Sequence, residues 1–431
     1  MMKSLCAFTL TAILLSASYA QDTLTVDKML KRLMQVHPAI TQAEQNSHAA
    51  EARVLQLQSA LMPDVTTEGT YAFLAPIAKL AFPGLGEFKL FPASNYDIHI
   101  AGRYTVYDFG KSDATIDLSR SRVQTSQDAI ELTKTTLAYQ AVRIFYAILL
   151  LEKSIDVQNE QIEALQQHLE STKRRVSAGT ATSFDVLTTQ VRVAAAQSQK
   201  IDLEAMESKQ RSVLAQLLGL SSGSSVKIKG DFMQQPVPLN SDSLLEAAVR
   251  QRMELKMAKD AGMSAQLQQK VASLGQKPSL MANVSYGLKN GYIPNLDVLR
   301  GNWMAGIRAE LPIFDGGRTD HQQEEARAQV LAEEARQKDI QQQIRSDVEQ
   351  AVTEVHSAAQ KIAISEIQVK QAADAVSIAK SRYEIGTVTN LDLLDAQATE
   401  SSARLGNLQA LYKLVLSKYE LDRAIGVKLT E

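Results

Sequence analysis

Cysteine is nearly absent: Cys6 is the only one in the 431-residue chain. A disulfide framework needs pairs, so none can form within one chain, and no thiolate metal site can be assembled. Charge of one sign is lacking too. The 46 Lys and Arg balance 48 Asp and Glu, with a net charge of −2 and no dense basic run, which excludes nucleic-acid binding by phosphate neutralisation. Beyond the first twenty residues no long hydrophobic run occurs. The strongest, Ile144 to Leu151, falls far short of the roughly 20 residues of a membrane-spanning helix. The six histidines (37, 48, 99, 168, 321, 356) show no metal-ligand spacing. A phosphate-binding loop ending in Gly110-Lys111-Ser112 would need glycine where Thr105 stands. No metal, no cofactor and no enzyme activity are expected.

What is present begins with an export signal. Residues 1–20 carry Lys3, an apolar stretch from Leu5 to Leu15, and Ser18-Tyr19-Ala20 with small residues where a signal peptidase cuts. Cleavage there removes Cys6, which sits at the start of the apolar region rather than after it and so is not placed for lipid modification.

The rest of the chain is duplicated. Arg175-Val-Ser-Ala-Gly179-Thr180-Ala-Thr182-Ser-Phe-Asp185 corresponds to Arg382-Tyr383-Glu-Ile-Gly386-Thr387-Val388-Thr389-Asn-Leu-Asp392 at an offset of 207 residues. The same offset joins the turns YDFGK (107–111) and FDGGR (314–318); toward the N-terminus it becomes 215, linking Pro63 to Pro278 and Tyr71 to Tyr286. The first repeat is expected over 21–220, with a β-hairpin at 64–107, a long helix at 113–176 and a helix at 184–218. A Ser/Gly/Pro-rich linker at 221–243 leads to the second repeat, 244–431, with a β-hairpin at 280–313, a long helix at 318–383 and a helix at 390–425. Each hairpin follows a helix (39–62, 254–277) that stops at Pro63 or Pro278, and residues 76–95 form a long loop of the first hairpin.

Two periodicities carry the functional argument. Tyr96, Ile98, Ile100, Tyr104 and Val106 alternate with Asp97, His99, Arg103 and Thr105, and Trp303, Ala305 and Ile307 alternate with Asn302, Met304 and Gly306, so these are β-strands. At roughly 10 residues each, they have the length of tilted membrane-spanning strands, although a soluble sheet with one buried face alternates in the same way. The long segments instead show heptads. Ile148, Leu151, Ile155, Gln158, Ile162, Leu165, Leu169, Thr172 and Val176 follow 3-4 spacing, and so do the positions from Leu391 to Tyr419. A helix of about 63 residues runs roughly 95 Å, longer than a compact domain needs. If the strands lie in a membrane, four of them cannot close a barrel, because single-chain barrels start at about 8 strands. Identical neighbours must supply the rest, and three copies give 12 strands.

The export signal, the two-copy layout, the strand-exit turns and the paired tip motifs together resemble the TolC family of outer-membrane efflux proteins over nearly the whole mature chain. The resemblance implies a mainly α fold with membrane β: a homotrimer forming a 12-stranded β-barrel in the outer-membrane lipid, continued by a helical barrel in the periplasm. It implies a passive exit duct for an inner-membrane pump, reached through a periplasmic adaptor protein. By the same resemblance, Tyr383, Asp185, Asp392 and Asp395 form the periplasmic gate and its cation-selective ring, and Gly179, Thr180, Gly386 and Thr387 form the adaptor-docking tips. Val388 departs from the family, since it stands where a gate arginine is expected. The residues also allow another role for two of the acids: Thr182/Asp185 and Thr389/Asp392 each read T-x-x-D, a capping box at a helix start. Asp395 lies too deep for a cap, and its counterpart in the first copy is Thr188. The competing reading of the whole chain is a periplasmic coiled-coil adaptor, which shares the signal and the heptads but has a single helical hairpin. Cargo is not legible.

Overall fold

The structure, a computed structural model, describes residues 23–84, 86–221, 226–232 and 241–429. The export signal and most of the expected linker lie outside the described residues. The elements run α1 (Val26–Val36), α2 (Pro38–Ser59), β1 (Asp64–Phe73), β2 (Lys79–Phe82), β3 (Gly86–Lys89), β4 (Ser94–Tyr107), α3 (Lys111–Ser177), α4 (Ser183–Leu217), α5 (Ser241–Gln251), α6 (Met253–Ser273), β5 (Ser279–Lys289), β6 (Arg300–Glu310), α7 (Arg318–Glu384) and α8 (Asn390–Ile425).

Three details differ from the sequence reading. Helices α2 and α6 end at Ser59 and Ser273, short of Pro63 and Pro278, because the chain must already turn toward a strand before a residue that disfavours helix behind it. The long loop holds the small β2–β3 hairpin, with Lys79 paired to Glu87 at 3.0 Å. The short amphipathic helix α1 went unanticipated; its equivalent, α5, starts inside the expected linker. Both bury an apolar stripe on a long helix: Met29, Leu30 and Leu33 pack with Phe145 and Ile148 of α3, and Ala248 packs with Ile344 and Val348 of α7.

The two long helices have 67 residues each, roughly 100 Å at 1.5 Å per residue. Along the heptad seam of α3, Ile148, Gln158, Leu165 and Thr172 are buried. Helix α2 lies along the start of α3, and α4 runs back along its other end; α6 and α8 do the same for α7. The strand-to-helix turns are built alike in both copies. Asp108 accepts N–H bonds from Gly110 (3.2 Å) and Ser112 (2.8 Å), and Asp315 accepts them from Gly317 (3.1 Å) and Thr319 (3.0 Å). Gly110 and Gly317 sit at φ 85° and 82°, where a side chain would be strained.

One antiparallel sheet, ordered β1-β4-β5-β6, gathers the strands of both copies. Its register decides what alternation alone left open. Ile100 pairs with Thr67 and Tyr286, Tyr286 with Trp303, and Ala282 with Ile307, so the apolar residues of all four strands share one side. Glu68, His99, Asn283, Ser285 and Arg308 share the other. The apolar side is uncovered, with Trp303 75% and Ile307 78% exposed. Gly287 lets β4 and β5 come together, since a Cβ there would lie 2.2 Å from the Ile98 carbonyl oxygen.

Candidate functional site

The far ends of the long helices form two tips, one per copy. In each, the long helix closes on a left-handed glycine, Gly179 (φ 76°) or Gly386 (φ 78°). The next N–H, that of Thr180 or Thr387, donates back to the carbonyl of Arg175 or Arg382 at 2.9 Å. The hydroxyls of Thr180 and Thr387 donate to the same carbonyls at 3.2 Å. All four residues are exposed, and a Cβ on either glycine would meet no atom within 4 Å, so the tips are bare turns held from within.

The return helices start with full capping boxes. Asp185 Oδ2 accepts from the N–H (2.9 Å) and hydroxyl (2.7 Å) of Thr182, while Asp185 N–H donates to Thr182 Oγ1 at 3.3 Å. Asp392 does the same with Thr389, at 2.8, 2.7 and 3.2 Å. The hydroxyl and N–H of Thr389 hold the Asp392 carboxyl below its ordinary pKa. One oxygen of each of these acids is thus committed to its own helix start. Asp395 is not a cap: its Oδ1 accepts from Arg192 of α4 at 2.9 Å, an exposed ion pair across the two tips.

Tyr383 is buried. Arg175 donates to its carbonyl at 2.9 Å and places the guanidinium carbon 4.6 Å from its ring centroid, and His168 meets the ring edge-on at 5.1 Å. His168 Nε2 donates to Asn390 Oδ1 at 2.6 Å. Asn390 Nδ2 in turn faces the Asp185 carbonyl (3.3 Å) and the hydroxyls of Thr188 (3.2 Å) and Thr189 (3.3 Å). Burial pushes the pKa of His168 down against the opposing effect of its bond to Asn390, and Arg175 pushes it further down. One buried knot therefore joins α3, α4 and α8 and clasps the end of α7.

The sequence reading brought Asp185, Tyr383, Asp392 and Asp395 to this place but missed Arg175, His168, Arg192 and Asn390 as its working parts. A signal was available. At the 207 offset, His168 faces Ala375, Asn390 faces Ser183, Arg192 faces Thr399 and Tyr383 faces Val176. Apart from Arg175, whose counterpart is Arg382, the cross-links use residues that one copy has and the other lacks.

A sheet with an uncovered apolar face and two unpaired edges, continued by bare rods roughly 100 Å long, defines a class of protein: the subunit of an outer-membrane channel with a helical extension. The family model described as "Outer membrane efflux protein" matches residues 29–220 and 244–427, and the chain belongs to that family. Outer membrane protein TolC of Vibrio cholerae is 21% identical over 317 residues, 72% of either chain. Pyoverdine export outer membrane protein OpmQ of Pseudomonas putida is 24% identical over 414 residues, 88% of this chain and 85% of the relative. Among solved structures, the fold is similar to VceC of Vibrio cholerae, with a TM-score of 0.78 at 18% identity over 94% of this chain and 97% of that one. The CmeC outer membrane channel of Campylobacter jejuni has a TM-score of 0.81 at 15% identity, over 94% and 87%. The protein is an outer-membrane efflux channel, an exit duct whose helices extend into the periplasm.

Proposed function

We propose that three copies assemble into one duct, with a barrel of twelve strands in the outer membrane and a helical tunnel below it, and that an inner-membrane pump feeds it through a periplasmic adaptor. The observation that carries this reading is the open sheet. Strands β1 and β6 each leave one edge unpaired while one whole face is apolar, and each unpaired backbone group in hydrocarbon costs several kcal/mol. Joining β6 of one copy to β1 of the next removes every edge once the ring closes. The helices support the same step. Phe184, Leu187, Val191 and Ile201 on α4, and Ile364, Ile367, Ile378 and Ile385 along and just past α7, are exposed at heptad-compatible spacings, as seams awaiting neighbouring helices are.

In this reading the tips are the gate. Arg192–Asp395 and the His168–Asn390 knot hold the second tip against the first, so the entrance is closed while both links stand. Asp392 and Asp395 line the approach for cations with the oxygens their partners leave open, and the turns at Gly179-Thr180 and Gly386-Thr387 are the surface the adaptor touches.

The test is covalent. Cysteines replacing Thr66 on β1 and Gly306 on β6 are introduced into the chain without Cys6, and the membranes are oxidised. Dimers and trimers on denaturing gels, from outer-membrane fractions, are the expected result. A soluble monomer that never cross-links overturns the closed ring and favours the periplasmic adaptor reading.

A further inference from the structure

Far from the tips, about 26 Å along α3 from the strand-exit turn at 1.5 Å per residue, the two copies meet in a contact that duct function does not require. Asp128 of α3 is buried, and Asp260 of α6 faces it closely enough for their side chains to hydrogen-bond. Yet Oδ2 of Asp128 and Oδ2 of Asp260 are both buried without any donor. Two buried carboxylate oxygens facing one another repel unless a proton lies between them. We propose that Asp128 and Asp260 form a proton-binding site, a carboxyl pair that shares one proton and thereby ties the first copy's long helix to the second copy's short one.

The surroundings are those such a pair requires. Lys256 of α6 donates to Asp128 Oδ1 at 2.7 Å and Gln124 donates to the same oxygen at 3.3 Å, so one oxygen is satisfied by fixed donors and only the facing oxygen is left for the proton. The other charges nearby pair among themselves: Glu131 of α3 takes Lys134 at 3.0 Å and Lys428, beyond α8, at 3.3 Å. Helix α2, also packed on α3, faces this stretch with Ser47, which accepts from Ser126 at 3.3 Å; the ionisable residues flanking it, Glu44 and His48, are exposed. Below the pair, Ser121 and Ser264 hydrogen-bond at 2.6 Å and continue the same seam.

Burial and the neighbouring Asp128 carboxyl push Asp260 up to about 6, against the pull of Lys256. The sign follows from linkage. The folded pKa lies above the unfolded one, so the folded state keeps a proton that the unfolded chain gives up, and the stabilisation is full in acid and lost as pH rises through about 6. The site occurs once per chain. Its counterparts in the other copy are Ala335 on α7 with Gln45 and Thr41 on α2, which carry no acid. Protonation therefore acts on the join between α3 and α6 and has no equivalent at Ala335, Gln45 and Thr41.

The experiment uses the purified full-length channel in detergent. Its unfolding midpoint is followed by helical circular dichroism from about pH 5 to about pH 8. His168 titrates alike in both proteins, so the difference isolates the pair: relative to D260N, which supplies an amide donor at every pH, the wild-type midpoint is expected to fall as pH rises through this range. A D260N midpoint that moves with pH in parallel with the wild type overturns the proposal. Infrared spectroscopy gives a second reading independent of stability: a protonated-carboxyl band should appear as pH drops through about 6 and be missing in D260N, and its absence from the wild type overturns the proposal as well. Neither readout depends on transport, so failure here leaves the duct reading standing.

Discussion

Asn390→Ala removes the centre of the tip knot while leaving the Thr389–Asp392 cap intact. The mutation deletes the acceptor for His168 and the amide that reaches the Asp185 carbonyl and two threonine hydroxyls, and it strands a buried imidazole N–H. A buried donor left without a partner costs roughly 1–3 kcal/mol, about a 5- to 150-fold change in the closed-to-open ratio per chain. Asp395→Ala breaks only an ion pair whose side chains are 45% and 59% exposed. Pairs of that kind contribute roughly 0.2–1 kcal/mol, less than about sixfold. The assay is single-channel current across a planar lipid bilayer with each purified variant. N390A should raise conductance or open probability well above D395A, and the heat resistance of the proposed trimer should not change, because the tips lie roughly 100 Å from the sheet. A closed N390A channel beside an open D395A channel would refute the reasoning, since the exposed pair would then outweigh the buried knot.

Removing Arg192 frees the Asp395 carboxylate, so R192A should strengthen block of the current by multivalent cations, and combining it with D392A and D395A should abolish that block. Thr389→Ala removes the second tip's cap at a cost of about 1 kcal/mol and should raise hydrogen exchange in the first turn of α8 while leaving α4 unaffected. Because burial lowers the pKa of His168 in the folded state, the unfolded tip takes up its proton first as pH drops. Tip stability is therefore full above the ordinary histidine range and lost as pH falls through and below it, and conductance measured against pH should rise on acidification in the wild type but not in H168Q. On the sheet, Ile307→Arg places a charge on the apolar face at roughly 2–4 kcal/mol near mid-membrane, whereas Asn283→Arg on the polar face should leave assembly of the proposed trimer normal; oligomer yield on unboiled gels separates them.

The elements were legible because their signals are local. Period two marked the strands and the heptads marked the long helices. The two T-x-x-D motifs made capping boxes, a role that the threonine, the acid and the helix start define without help from elsewhere in the chain. The helix α1 escaped notice because eleven residues give too short a pattern to stand out, although it folds to cover the buried Phe145. At the tip, sequence supplied the acids but not their partners. Arg192 and Asp395 are 203 residues apart, and His168 and Asn390 are 222 apart, so no spacing rule links them.

By itself, the order of residues determined the duplication, the length of the rods and the existence of strands with one apolar face, since each follows from a repeat period or from which neighbour along the chain is polar. Tertiary structure alone decided three things. The apolar sides of all four strands fall on one face. Tyr383 is buried between Arg175 and His168. Asp128 and Asp260, 132 positions apart, face each other across the join between the copies. Register, burial and the meeting of distant side chains depend on how the copies pack against one another, and packing energy is summed over contacts that no local stretch of chain contains.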